Sequence, residues 1–152
     1  MLNRRLCLAL LLAVLALPAR AETQLTVMTF NIWGGGVNAG KPVDETVAAI
    51  RAAGADIVGL QETRAEADPC TAESCPPAGP SAAVAIAQAL GFHVYDQTAE
   101  NPALWANAII SRWPIGPATP HDLGIRVDVA GRPVHVFNIH LPDAPYQPYQ
   151  LL

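Results

Sequence analysis

The sequence predicts a layered domain of mixed α/β or α+β class, and three observations carry that prediction. Residues 24–32 alternate, with Leu25, Val27, Thr29 and Asn31 against Thr26, Met28, Phe30 and Ile32, which is the period of a strand. Residues 42–53 place Val43, Val47 and Ile50 on one helical face, with Pro42 at the start, Asp44 and Glu45 in the first turn and Gly54 at the end. Ala55-Asp56-Ile57-Val58-Gly59-Leu60-Gln61-Glu62-Thr63 is a short apolar run that closes on a polar pair, the pattern of a central strand buried on both faces. Glu62 therefore falls where that strand leaves its sheet, and such ends are where α/β domains build sites. A carboxylate there serves as a solvated or capping residue, or as a hard oxygen ligand for a divalent cation. The other strand ends decide between the two.

Ahead of the domain, Arg4 and Arg5 precede a continuous Leu/Ala/Val segment over 6–17, and Pro18-Ala19-Arg20-Ala21 offers a small-x-small cleavage site. Residues 1–21 read as a secretory signal peptide, because the apolar segment is too short for an ordinary membrane span. The protein is expected to be exported, periplasmic or secreted, with no stable membrane anchor after cleavage. The whole chain has a formal charge of −4, with nine basic and thirteen acidic residues. Loss of Arg4, Arg5 and Arg20 leaves six basic residues and a balance of −7. That balance disfavours avid nonspecific binding to DNA. A phosphate substrate stays compatible, because a bound cation reverses the local sign. Cleavage also reduces three cysteines to two, Cys70 and Cys75, an even number in an oxidising compartment. They read as a disulfide closing a small loop.

Residues 22–152 suffice for one modest domain. Within it, Trp33-Gly34-Gly35-Gly36 breaks the first strand into a loop. Residues 64–80, rich in Pro, Ala and acids, read as a surface excursion stapled by Cys70 and Cys75. Ser81 is placed to cap an Ala-rich helix that runs to Leu90 and stops at Gly91. Strands are expected at 92–95, 106–111, 125–129 and 134–141, the last two joined by the turn Ala130-Gly131-Arg132-Pro133. The order β-α-β, loop, α-β-β-β-β is that of a layered domain.

Each remaining strand end carries a polar group. Asn31 closes the first strand, Asn107 opens another in Asn107-Ala108-Ile109-Ile110-Ser111-Arg112-Trp113-Pro114-Ile115, and Asn138-Ile139-His140-Leu141 puts Asn138 and His140 on one face. Singly, an Asn that bonds its own turn or a surface His is the commoner reading. Jointly, one polar group per strand end in this order is a pattern. With Thr29-Phe30-Asn31-Ile32 and Asp56-Ile57-Val58-Gly59-Leu60-Gln61-Glu62, it resembles the endonuclease/exonuclease/phosphatase superfamily, which includes deoxyribonuclease I, apurinic endonucleases, bacterial sphingomyelinases and inositol-polyphosphate phosphatases.

The resemblance implies a deoxyribonuclease I-like sandwich of two mixed sheets flanked by helices. It puts the metal-binding Glu on Glu62 and the Asn that helps hold metal and phosphate on Asn31. His140 takes the place of the phosphate-contacting His, and Asn107 that of a substrate-side residue. The implied cofactor is Mg²⁺, with Mn²⁺ or Ca²⁺ as alternatives, and the implied function is hydrolysis of a phosphodiester or phosphomonoester by a monomer. The substrate is left open among nucleic acid, phospholipid and small phosphoester.

The family continues with an Asp-x-Asn strand end and a final Asp-His pair, and neither follows Leu141 here. Residues 22–152 are therefore expected to be the N-terminal portion of a longer domain, incomplete at the C-terminus and inactive alone. Val134, Val136 and Ile109 are then expected to lack part of their apolar cover. The alternative is a non-catalytic exported relative that binds a partner.

Overall fold

The computed structural model describes residues 23–64, 81–97, 106–120 and 123–141. Residues 1–21, expected to be a signal peptide, and Cys70 and Cys75 lie outside those residues, as does most of the stretch 64–80 expected to be an excursion.

Strand β2 (Ile57–Gln61) is buried along its whole length and lies between β1 (Val27–Asn31), which it pairs in parallel, and β4 (Asn107–Ser111), which it pairs antiparallel. β3 (His93–Asp96) adds antiparallel to β4, so the first sheet has the order β1-β2-β4-β3. Strand direction then brings the carboxyl ends of β1, β2 and β3 and the amino end of β4 to one edge of the molecule. The second sheet is an antiparallel meander of β5 (Ile115–Ala118), β6 (Gly124–Val129) and β7 (Arg132–Phe137). The sequence pattern did not single out β5 as a strand, because Gly116 and Pro117 interrupt its apolar character. β7 stops at Phe137, short of the expected 141, and 138–140 leaves the ladder.

Alternation along β2 and β4 separates two cores. Val58, Leu60, Ala108 and Ile110 point to helices α1 (Val43–Ala53) and α2 (Ala82–Leu90), packing on Val47, Ile50, Ala83 and Ile86. Ile57 and Ile109 point the other way, onto Ile125, Val127 and Val129 of the second sheet. Each of these fully buried isoleucines contributes roughly 1.5–3 kcal/mol. The layers are thus helices, first sheet, second sheet. Ile109 has no exposed surface, so the expected loss of cover does not fall there, while Val134 and Val136 are only half-buried against the second core. The large apolar residues that do face solvent include Val27, Phe137, Ile139 and Leu141.

Helix α1 begins after an extended Pro42 and closes on Gly54 at φ 61°, whose N–H meets the Arg51 and Ile50 carbonyls, as its sequence predicts. α2 ends likewise on Gly91 at φ 70°. Its start corrects one expectation: Ser81 occupies the cap position, but its hydroxyl makes no capping bond and is buried without a partner. The Val84 N–H is instead taken by the Ser81 backbone carbonyl at 3.0 Å. The Gly-rich stretch after β1 leaves the strand as expected, with Trp33, Gly34, Gly35 and Gly36 all at positive φ, and runs through short 3-10 turns within Gly34–Ala39. The β6–β7 turn is also tighter than expected. It contains only Ala130 and Gly131, while Arg132 and Pro133 already pair with Val129 and Asp128. Pro133 is tolerated because β7 is an edge strand.

Candidate active site

Three backbone positions at the shared strand end are strained. Trp33 (φ 41°), Glu62 (φ 55°) and Ala106 (φ 61°) all take left-handed conformations without being glycine. They follow β1, follow β2 and precede β4 respectively, and they are tied to one another: Gly34 N–H donates to the Glu62 carbonyl at 2.6 Å and Thr63 N–H to the Ala106 carbonyl at 2.8 Å. Such conformations cost of order 1 kcal/mol each and gather where a site requires a particular side-chain direction.

The turn at Glu62 directs its carboxylate back over the end of β1. Asn31 Nδ2 donates to Glu62 Oε1 at 2.8 Å, and the Asn31 Oδ1 accepts the Trp33 N–H at 3.1 Å, so the Asn31 amide is held from both sides. His140 reaches the same oxygen from beyond β7, with Nε2 at 3.7 Å from Glu62 Oε1. That is too long for a hydrogen bond but within Coulomb reach when the imidazole carries a proton. The Glu62 and His140 side chains keep 29% and 37% of their surface in solvent, enough to meet a ligand.

Of the residues singled out in the sequence, Asn31, Glu62 and His140 are thus brought together. Asn107 is at the same end of the sheet, opposite Gln61 in the β2–β4 register, but it is only 5% exposed and stands behind the surface that the other three form.

Behind the exposed trio lies a buried group of amides that sequence reading did not assign. Asn138 is 4% exposed. Its Nδ2 lies 2.9 Å from each of three oxygens: the Leu60 carbonyl on β2, the Ala108 carbonyl on β4 and Gln97 Oε1 just past β3. Its Oδ1 accepts from Gln61 Nε2 at 2.5 Å, and its backbone carbonyl accepts from Gln97 Nε2 at 3.2 Å. Gln61 reaches on to Thr29 of β1 at 3.2 Å. Room for the Asn138 carboxamide exists because residue 59 is glycine; a Cβ there would lie 2.9 Å from Asn138 Oδ1. The sequence marked Asn138 and Gln61 as polar strand-end residues. The one signal that they meet was the inward face of β2, which runs Ile57, Gly59, Gln61 and so turns from apolar to polar as it nears the site.

Compared with known families, residues 28–150 match the model described as "Endonuclease/Exonuclease/phosphatase family". The chain belongs to the Endonuclease/Exonuclease/phosphatase family. The match takes in every strand end described above except the first residue of β1, and the two-sheet architecture agrees with it. Neither a search of curated proteins nor one of solved structures found a match.

Membership of the Endonuclease/Exonuclease/phosphatase family supports hydrolytic, phosphoesterase-like chemistry in general, and enzymes of this family generally use divalent metals. The donor set fits a hard cation of that kind. Among the described residues no group of three or more His, Cys, Asp and Glu side chains converges, so nothing here resembles an all-protein cage. One partly exposed carboxylate with an amide beside it is what Mg²⁺ accepts, since that ion keeps several of its waters.

Proposed function

We propose that this family member is an exported, Mg²⁺-dependent phosphoric ester hydrolase whose reacting centre is the solvent-facing edge of Glu62, Asn31 and His140. One observation carries the reading: groups from two other segments of the chain converge on one Glu62 carboxylate oxygen, Asn31 Nδ2 at 2.8 Å and His140 Nε2 at 3.7 Å.

Glu62 would hold the cation, with Asn31 fixing the carboxylate's orientation and offering its amide to metal or phosphate. A bound divalent cation neutralises charge on a phosphate oxygen as the ester is cleaved. His140, on the other side of Glu62, is placed to donate a proton or hydrogen bond to a second phosphate oxygen. One such donor is worth roughly 3 kcal/mol when it acts on charge that grows in the transition state. Asn107, behind these groups, acts as a support for the substrate side of the pocket.

Export belongs to the same proposal. Cleavage after Ala21 gives a mature chain beginning at Glu22, with Cys70 joined to Cys75. Mass spectrometry of exported material, before and after reduction, reads both features, and two alkylatable thiols in unreduced protein would refute the pairing.

The site is tested by cation binding, which does not require turnover. Mn²⁺ titrated into the chain and followed by electron paramagnetic resonance should occupy one site, be displaced by Mg²⁺, and bind Glu62→Gln at least tenfold more weakly. Hydrolysis of bis-p-nitrophenyl phosphate against p-nitrophenyl phosphate, by a protein that also carries the family's Asp-x-Asn and Asp-His pieces, then sorts diesterase from monoesterase. Equal Mn²⁺ affinity in wild type and Glu62→Gln would remove Glu62 from the site.

A further inference from the structure

We infer that Asn138 is a positioning residue, a buried amide clamp that sets His140 against Glu62; its consequence for catalysis rests on the function proposed above. The argument begins with what the side chain holds. Nδ2 gathers oxygens from β2, β4 and Gln97, and Oδ1 takes the Gln61 amide, so one carboxamide is bonded to three neighbouring pieces of the first sheet. The backbone of the same residue is bonded outward: Asn138 N–H donates to the Leu123 carbonyl at 3.0 Å, continuing the β6–β7 ladder of the second sheet. Asn138 thus ties the two sheets at the end where the site lies.

The bonds also fix where the chain goes next. With N–H, carbonyl and carboxamide all engaged, the path of the segment leaving β7 is set, and His140 is two residues further on. A buried amide of this kind is costly unless every group is paired, so the geometry admits little drift. An apolar residue at 138 would fill the space above Gly59 but would take one partner each from Gln61 Nε2, Gln97 Oε1 and the Leu60 and Ala108 carbonyls. Glu62 is positioned separately, by its own left-handed backbone and by Asn31. The clamp therefore governs the His140–Glu62 distance without touching the carboxylate.

The test reads that distance directly, in the full chain and without metal. Nuclear Overhauser contacts between the His140 imidazole and the Glu62 side-chain protons are measured in wild type, Gln97→Ala and Asn138→Ala, with β2 and β4 amide shifts as the control for folding. Gln97→Ala is the milder variant, since it removes two of the clamp's bonds and leaves Asn138 in place. The expected result is contacts present in wild type and lost in whichever variants keep native β2 and β4 shifts, while Mn²⁺ affinity in Gln97→Ala stays within twofold. A purely structural Asn138 would lower the melting temperature yet leave the contacts intact in the folded variants, and that result overturns the inference. Unfolding of both variants overturns it as well, because the amides would then serve the core alone. A wild-type chain that takes up no Mn²⁺ but shows the contacts and their loss would refute the proposed cation site and leave the clamp standing.

Discussion

At the scale of single residues, the molecule is arranged around side chains that sit where their own conformational preferences would not put them. Gly59 is required by its neighbour, since a Cβ would come within 2.9 Å of Asn138 Oδ1 and 3.2 Å of its Cγ. Gly59→Ala should lose about 1–3 kcal/mol by overpacking, measured by urea denaturation; an unchanged midpoint would refute the close approach. Glu62 holds φ 55°, a conformation that Asn adopts with less penalty. Glu62→Asn should therefore melt at or above the wild-type temperature while losing Mn²⁺ binding, and a clear drop in melting temperature would show that the carboxylate contributes to the fold as well as to the site. Glu62, Asn31 and His140 were readable only jointly, as one polar residue per strand end in an order that resembles the family. Gln97 was not readable, because its neighbours carry no periodicity and its partner lies 41 residues away.

At the scale of elements, legibility follows local chemistry. The helices were readable to within a residue, because Pro42, Gly54 and Gly91 act through backbone geometry that no distant contact overrides. Ser81 was readable as a position but not as an interaction, since its hydroxyl is buried instead of turning to the helix. Strand β5 was hidden by Gly116 and Pro117, and its existence depends on pairing with β6. The β6–β7 hairpin offers a direct test of turn chemistry. Ala130 at φ 51° and Gly131 at φ 79° are both left-handed, as a two-residue type I′ turn requires, and Asp128 Oδ1 accepts the Gly131 N–H at 2.8 Å. Alanine is poorly suited to the first position and asparagine well suited. Ala130→Asn should add about 0.5–1 kcal/mol to stability, read as a higher denaturation midpoint with an unchanged slope. A lower midpoint would exclude the type I′ geometry.

At the scale of the whole molecule, the edges β1 and β7 lie side by side without covering each other. Val27 and Thr29 from one and Phe137 and Ile139 from the other line a cleft of about 260 Å³ whose floor includes Gly59 and Asn138. Exposed apolar residues beside strand edges that have no pairing strand among the described residues invite self-association. Phe137→Lys should lower concentration-dependent association in sedimentation velocity; equal association would show that this face is not its source. The division into two sheets also sets an order in time. The second sheet is a meander of sequential neighbours, and hairpins of that kind close in roughly 1–10 µs. The Asn138–Leu60 bond spans 78 residues, so the contact that completes the site belongs among the late events. A cation seated between Glu62 and Asn31, which are bonded across 31 residues, would likewise bind after the local hairpins have closed. Mg²⁺ should accordingly steepen the barrier to unfolding and leave the refolding rate unchanged. In a stopped-flow experiment, only the unfolding limb would move.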